Sequence, residues 1–291
     1  MTAPLAFLRE PPPPYGAVEP VAPLVRRITC RNPGPMTCHG TGTLIIGRGR
    51  VAVIDPGPED AAHLAALLAA LRAETVKHIV VTHTHRDHSP LARALKAATG
   101  APIVGCTAHR TPPAEGGEGA DHAYAPDQAL ADGEAVGGPG WTLRAIATPG
   151  HTANHLCFAF PEGAMLFSGD TVMGWNTTVV SPPDGSMSAY CASLAALARR
   201  HEPLFVPAHG PAIATPAAWC AALLRHRLER EAEVLAALGE APAAVPDLVG
   251  RIYRDIDPRV RGAAGRSVLA HLEKLEAEGR ARRDGEGWRG P

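Results

Sequence analysis

The chain lacks the features that would hold it in a membrane or staple it with cross-links. No run of 18 apolar residues occurs in its 291 residues, so no membrane span is expected. The N-terminus has neither a cationic start nor an apolar segment and runs into Pro11-Pro12-Pro13-Pro14, which is not a secretory signal; cytoplasmic residence is the expectation. No C-x-x-C pair is present. Cys30, Cys38, Cys106, Cys157, Cys191 and Cys220 are scattered, and a chain of this length needs no disulfide framework. Charge of one sign is missing too: the formal net charge is −1, which excludes a strong global field towards nucleic acid or anionic lipid. There is no low-complexity segment, because the 29 prolines and 30 glycines are spread along the chain and mark many short connections. What remains is an ordinary folding composition. Hydrophobic residues make up 45%, enough for a sizeable core, and the length suits one large domain with a small one beside it.

Against that background one stretch stands out. Thr82-His83-Thr84-His85-Arg86-Asp87-His88 packs three imidazoles and a carboxylate into six residues. It follows the β-branched run 78–81, which reads as a buried strand, and precedes 90–98, which reads as a helix. The motif therefore sits at the carboxyl end of a strand, the rim where layered α/β folds build sites. His83 and His85 alternate along extended backbone and share a side; Asp87 and His88 fall where the chain turns and can serve a second point nearby. A solvated polar loop is the bland alternative. Neutral imidazole with carboxylate is, however, the commonest zinc-ligand combination.

Three more strand ends repeat the theme. Strands are expected at 25–29, 43–46, 51–54, 101–106, 142–148, 155–160, 164–167 and 204–206, and helices at 59–72, 188–200 and 216–238. The stretch 107–140 reads as irregular and as a candidate wall of the site. The strand 142–148 delivers Gly150-His151, 164–167 delivers Gly169-Asp170, and 204–206 delivers His209-Gly210. One such case would be weak; four point to a single convergent metal site.

The set His-x-His-x-Asp-His, Gly-His-Thr, Gly-Asp and a late His-Gly resembles the metallo-β-lactamase superfamily over residues 20–215. The resemblance implies an α/β fold, an αββα sandwich with metals at one edge of the two sheets. It implies His83, His85 and His151 as ligands of a first metal, Asp87, His88 and His209 as ligands of a second, and Asp170 as the bridge, with Asp87 and Asp170 at the catalytic centre. Two cations roughly 3.5–4 Å apart would share a water and lower its pKa towards neutrality. Two Zn²⁺ ions are the expectation, with iron or manganese also compatible. No cysteine stands next to any ligand, so the pattern looks more like the glyoxalase II and ribonuclease Z branches than like true β-lactam hydrolases. Asp55 matches the family's structural aspartate and is expected either to orient the ligand loop or simply to close a turn. His155, four residues after His151, is read as a hydrogen-bonded histidine at a strand start, with substrate contact as the other reading. Thr177 is carried as a substrate-side candidate. His39, His63, His78, His109, His122, His201, His226 and His271 have no ligand-like context.

The chain divides into a Pro-rich arm (1–20), a catalytic domain (21–215), a connecting helix (216–240) and a C-terminal unit (241–291). In that unit a Pro/Ala linker (241–245), helices at 247–255 and 265–279 and a hairpin at 280–288 suggest a winged helix. Residues 251–291 hold ten Lys or Arg and seven Asp or Glu, a net of +3 against −4 for the remainder. This tail, with 207–211, 177–180 and His226-Arg227, resembles the beta-lactamase-like protein 2 family, whose animal members act on single-stranded RNA. The expected function is a metal-dependent hydrolase, an endoribonuclease on single-stranded RNA or, alternatively, a hydrolase of small esters, thioesters or lactones. A metal-stabilised nucleic-acid-binding protein is the third reading. The partners expected are an RNA or small-molecule substrate and no membrane, with the chain a monomer or homodimer.

Overall fold

The computed structural model describes residues 5–112, 119–254, 257 and 260–291. Two mixed sheets pack face to face. The first has seven strands in the order β1 (Val18–Ala22), β2 (Val25–Thr29), β3 (Gly42–Ile46), β4 (Arg50–Ile54), β5 (Thr75–Val81), β6 (Ile103–Gly105) and β7 (Gln128–Ala129). β1 to β4 are antiparallel neighbours, and β4 to β7 run parallel. The second sheet takes the order β12 (Leu204–Pro207), β11 (Met165–Gly169), β10 (Leu156–Phe160), β9 (Trp141–Ala147) and β8 (Ala135–Gly138). Its only parallel pair is β11 with β12, so those two strands end on the same rim.

Alternation along the second sheet sorts its side chains into two cores. Trp141, Leu143, Leu156, Phe158, Phe160, Phe167 and Val206 join the first sheet's Val25, Ile46, Ile54 and Val80 between the sheets. Cys157, Leu166 and Phe205, one residue out of phase, face the opposite way, against α3 (Met187–Leu197) and α4 (Pro216–Ala237). Helices α1 (Ala61–Ala70) and α2 (Leu91–Thr99) cover the first sheet and contribute Leu67, Leu91 and Leu95 to its core. Asp60 caps α1 by accepting the His63 N–H, as an aspartate before a helix should. The result is the αββα layering that the resemblance implies.

Three expectations change. The stretch 107–140 carries two short strands. β7 is a two-residue parallel edge and leaves no periodicity to read; Asp127 holds it by accepting the Ile103 N–H. β8 ends in Gly137-Gly138, which reads as a turn, but the glycines are there because Trp141 lies over them: a Cβ on Gly138 would meet its ring at 2.6 Å. β1 lies at the end of the Pro-rich arm, its Pro20 tolerated on an edge strand. The described part of that arm is tied down: Leu5 and Leu8 pack on the second core, and the Leu8 N–H donates to Gly174 O at 2.9 Å.

The C-terminal unit consists of α5 (Val245–Ile252), α6 (Arg261–Ala277) and the hairpin β13 (Arg282–Asp284) with β14 (Gly287–Arg289). α5 begins earlier than expected, because Pro246 fits a first helical turn. The stretch read as a linker instead pairs Ala243 with Trp288. Part of the helix expected to run to 255 lies outside the described residues. Val234, Leu248, Val249, Val268, Leu272, Leu275 and Trp288 make a third, separate core. No helix of the described residues is long and apolar enough to cross a membrane.

Candidate metal centre

The seven expected ligands converge on one rim. His83, His85, Asp87 and His88 lie on the loop after β5, His151 follows β9, Asp170 follows β11 and His209 follows β12. The backbone fastens these ends to one another. Leu156 N–H donates to Thr82 O across the two sheets, Ala208 N–H donates to Gly169 O, and Gly42 N–H donates to Ala208 O. The glycines ahead of His151 and Asp170 have steric causes. Gly150 (φ 140°) passes so close to α3 that a Cβ would meet Tyr190 Cα at 2.4 Å, and one on Gly169 (φ 49°) would meet His155 Nε2 at 2.6 Å.

Hydrogen bonds on the far side of each ring decide which nitrogen faces inward. His88 Nδ1–H donates to Asp55 Oδ2 at 3.0 Å, His151 Nδ1–H to Val179 O at 2.7 Å and His209 Nδ1–H to Gly40 O at 3.1 Å. Thr82 Oγ1 donates to Asp55 Oδ2, so it accepts from His83 Nδ1–H at 3.0 Å. All four rings therefore turn an Nε2 lone pair inward. His83 Nε2 and His151 Nε2 meet His85 Nδ1 at 3.1 and 3.0 Å. One imidazole proton cannot serve both. His88 Nε2, His209 Nε2 and Asp170 Oδ1 are buried with no hydrogen-bond partner. Converging lone pairs and orphaned buried polar atoms are what a cation would satisfy.

Two groups form: His83, His85, His151 and Asp170 in one, Asp87, His88 and His209 in the other. Asp170 reaches both. Its Oδ2 is 3.7 Å from His151 Nε2 and 3.5 Å from His88 Nε2, and its Oδ1 is 3.4 Å from His209 Nε2. Asp87 Oδ2 lies 3.1 Å from His209 Nε2 and 3.4 Å from His88 Nε2. Burial opposes ionisation of both aspartates, but His88 and His209 outweigh it and hold them well below the usual carboxylate range. Burial also opposes protonation of His209, yet Asp170 and Asp87 lift it to about 10. For His85 burial and the neighbouring His151 outweigh the pull of Asp87 and Asp170 and lower it to about 3. Asp87 and Asp170 are thus compensated by His88 and His209, both raised by the carboxylates, while His83 and His85 stay neutral with lone pairs turned inward; a bound cation would take the place of the two imidazole protons.

Asp55 is more than a turn residue. At φ 46°, a left-handed conformation that aspartate tolerates, it accepts from Thr82 N–H, Thr82 Oγ1–H and His88 Nδ1–H. His155 is buried: its Nδ1 lies near Thr148 and Thr171 hydroxyls, and its Nε2 accepts the Asp170 N–H at 3.1 Å, so it positions Asp170 and does not face substrate. Thr178 Oγ1 donates to Asp170 O at 2.6 Å. The buried Arg227 of α4 donates to Thr178 O and lies over the Tyr190 ring at 5.3 Å.

A cavity of 440 Å³ opens over the ligands, with Met36, Met173, Trp175, Thr177, His109 and Arg266 in its wall. Thr177 is where a substrate-side residue should be. His109 was grouped with histidines lacking context, yet it lies on this wall, its Nδ1 3.0 Å from Thr84 Oγ1; its place just past β6, on the same rim, was the available signal. Of the other histidines set aside, His63 bonds Thr43 Oγ1 in the interior and His271 is buried beside Glu231, both structural. Arg266 comes from α6, so the C-terminal unit, expected as a small unit near the mouth of the site, does reach the cavity; no motif singles out this arginine in the sequence.

Comparisons with known proteins agree with this geometry. The family description "Metallo-beta-lactamase superfamily" matches residues 36–209, and "Beta-lactamase associated winged helix domain" matches 244–288. The Beta-lactamase-like protein 2 homolog of Caenorhabditis elegans is 31% identical over 274 residues, covering 90% of this chain and 88% of that protein. An Atrochrysone carboxyl ACP thioesterase of Pseudocercospora fijiensis is 31% identical over 281 residues, covering 91% and 78%. The crystal structure of a Beta-lactamase domain protein from Burkholderia ambifaria, 22% identical, superposes with a TM-score of 0.80 over 96% of this chain and 95% of that one.

Proposed function

Because the chain belongs to the metallo-β-lactamase superfamily and is a metal-dependent hydrolase, we propose that it cleaves small thioesters or esters at a dinuclear centre. His83, His85 and His151 would hold one cation and Asp87, His88 and His209 the other, with Asp170 within reach of both. Zinc suits this histidine-rich set, with iron and manganese as alternatives. Bound there, the cations supply a water acidified towards neutrality and a Lewis acid for the scissile carbonyl.

The chain's own groups do the rest. Asp87, ionised and partly open to the cavity, accepts a hydrogen bond from the attacking water and fixes its direction. Asp170 offsets the repulsion of two cations, and His155 and Thr178 hold its backbone still. Met36, Met173 and Trp175 exclude water and give an acyl chain an apolar wall.

The observation that carries the substrate class is the cavity. It is closed enough for a small molecule, and most of its exposed wall is apolar surface, to which Pro35, Met36, Met173, Trp175 and Val179 contribute, although many of its lining side chains are polar. A strand-binding groove would need a run of cations and several stacking aromatics. Among the described residues the wall offers Arg86, Arg266 and one aromatic, Trp175. This favours the thioester reading over single-stranded RNA; the name of the fungal relative points the same way. The test is a panel of aliphatic thioesters, lactones, β-lactams and single-stranded RNA with metal-loaded protein, and elemental analysis of the same sample. Thioester turnover well above the others, with two transition-metal ions per chain, is expected. Turnover confined to RNA would overturn the reading.

A further inference from the structure

Behind the strand-end loop 176–179 lies a second cavity, of 220 Å³, which shares Pro35, Met36, Asn176, Thr177 and Val179 with the first. Its far wall is made by His226, Arg227 and Arg230 of α4, by Tyr253, and by Ala263 and Ser267 of α6. Three observations on this wall point to an anion. Arg227 is 4% exposed, its Nε has no hydrogen-bond partner, and no described carboxylate pairs with it. Glu231, one turn further along α4, is engaged by Lys274 and Arg280. A buried guanidinium without a counter-ion is costly unless something supplies one. The first turn of α6 also lines the cavity, and Val260 at its start offers no side-chain cap, so the positive end of a 17-residue helix lies beside the same space. Arg230, whose guanidinium stacks over Tyr253 at 4.6 Å and pairs with Glu233, adds a second cation. No acidic residue lines the cavity among the described residues. His226, lowered to about 4 by burial and by Arg227 and Arg230, stays neutral and can donate a hydrogen bond without adding repulsion.

We propose that this second cavity is a phosphate-binding subsite, formed jointly by α4 and the winged helix, that takes a phosphate at the far end of the substrate's leaving-group arm. This rests on the thioester reading. The acyl group occupies the metal cavity, the arm crosses the shared wall at Met36, Asn176 and Thr177, and its phosphate meets Arg227, Arg230 and the α6 N-terminus. A guanidinium and helix N–H groups match the geometry of phosphate oxygens.

Calorimetry on the intact, metal-loaded protein tests the subsite without requiring turnover. The probes are two non-hydrolysable thioethers, S-methylpantetheine and its 4′-phosphate, together with orthophosphate. The phosphorylated thioether should bind at least about tenfold more tightly, the scale of a charge-assisted contact. Arg230→Gln, at the rim, should reduce that preference to about twofold. Arg227→Lys, which keeps the buried charge but loses the fork, should weaken it too and guards against a fold defect in either variant alone. Equal binding of both thioethers to the wild type, or a preference that survives both substitutions, would overturn the subsite. Orthophosphate binding as tightly as the phosphorylated thioether would overturn the arm and leave a site for free phosphate. A preference that depends on Arg230 in a protein that hydrolyses no thioester would defeat the thioester reading and leave the subsite standing. Thioester turnover with no phosphate preference would do the reverse.

Discussion

Two of the buried charge clusters among the described residues differ in what balances them. Around Glu231 one carboxylate meets Lys274 Nζ at 2.8 Å, Arg280 Nη1 at 3.0 Å and His271 Nδ1 at 3.7 Å; its charge is balanced by the chain itself. Around Asp170 two carboxylates face imidazoles whose inward nitrogens carry lone pairs, and three buried polar atoms have no hydrogen bond. The first cluster clamps α6 to α4 with cations supplied by the chain, although Glu231 Oε2 and both ring nitrogens of His271 also lack a hydrogen-bond partner. The second is incomplete without cations. Burial and a strongly shifted carboxylate are common to both, so neither marks a functional site alone. What separates them is the counter-charge: Glu231 has a lysine and an arginine of the chain within 3.0 Å, whereas Asp87 and Asp170 face imidazoles alone.

The sharpest test of that contrast is at the bridge. Asp170→Asn keeps the shape and removes the charge. Activity should fall by about a hundred- to a thousandfold, or roughly 3–4 kcal/mol, with reduced metal content and an unchanged far-ultraviolet dichroism spectrum. A variant with two metals and full turnover would show that Asp170 is not the bridge. Glu231→Ala should do the opposite. It leaves Lys274 and His271 facing a void, and because Arg280 is partly exposed the loss of stability should be about 2–3 kcal/mol in urea unfolding, with metal content per folded chain unchanged.

Acid titration probes the same cluster. Burial opposes the ionised form of Glu231, but His271 and Lys274 outweigh it and lower the carboxyl to about 2. A depressed folded value contributes stability that is complete above the ordinary value near 4.5 and is lost as the pH falls from there towards 2. The urea midpoint of the wild type should drop across that window, by about 2 kcal/mol in all, and Glu231→Gln should flatten that part of the slope. Asp55→Asn should lower metal affinity or activity by about tenfold to a hundredfold, since it orients ligands without being one. Smallest of all, Arg266→Ala should raise KM severalfold with little change in kcat, a steady-state measurement that asks whether the winged helix touches substrate.

The metal centre was legible because each ligand sits at the end of a short apolar strand, where spacing alone places it, and all seven positions converge. Asp55 was half legible: its place at the end of β4 was clear, but its left-handed backbone and three accepted hydrogen bonds belong to the packed loop. The role of Arg227, which the sequence offers only within the pair His226-Arg227 that supports the resemblance, and that of Arg266 were not legible. Each is one arginine among many on a helix, and its significance comes from the docking of α4 and α6, contacts that join residues with no periodic relation. β8 was missed for a different reason, because glycine signals a turn unless one knows that Trp141 needs the space.

Asp55 fastens one member of each ligand group: His88 directly, and His83 through the Thr82 hydroxyl. The two ligand groups therefore share a single anchor as well as Asp170, which reaches both. Ordering one half prepays much of the entropy of ordering the other. In a loading experiment with too little metal for every chain, the ions should not spread evenly as singly occupied proteins. They should gather in pairs, leaving the population split between empty chains and fully loaded ones.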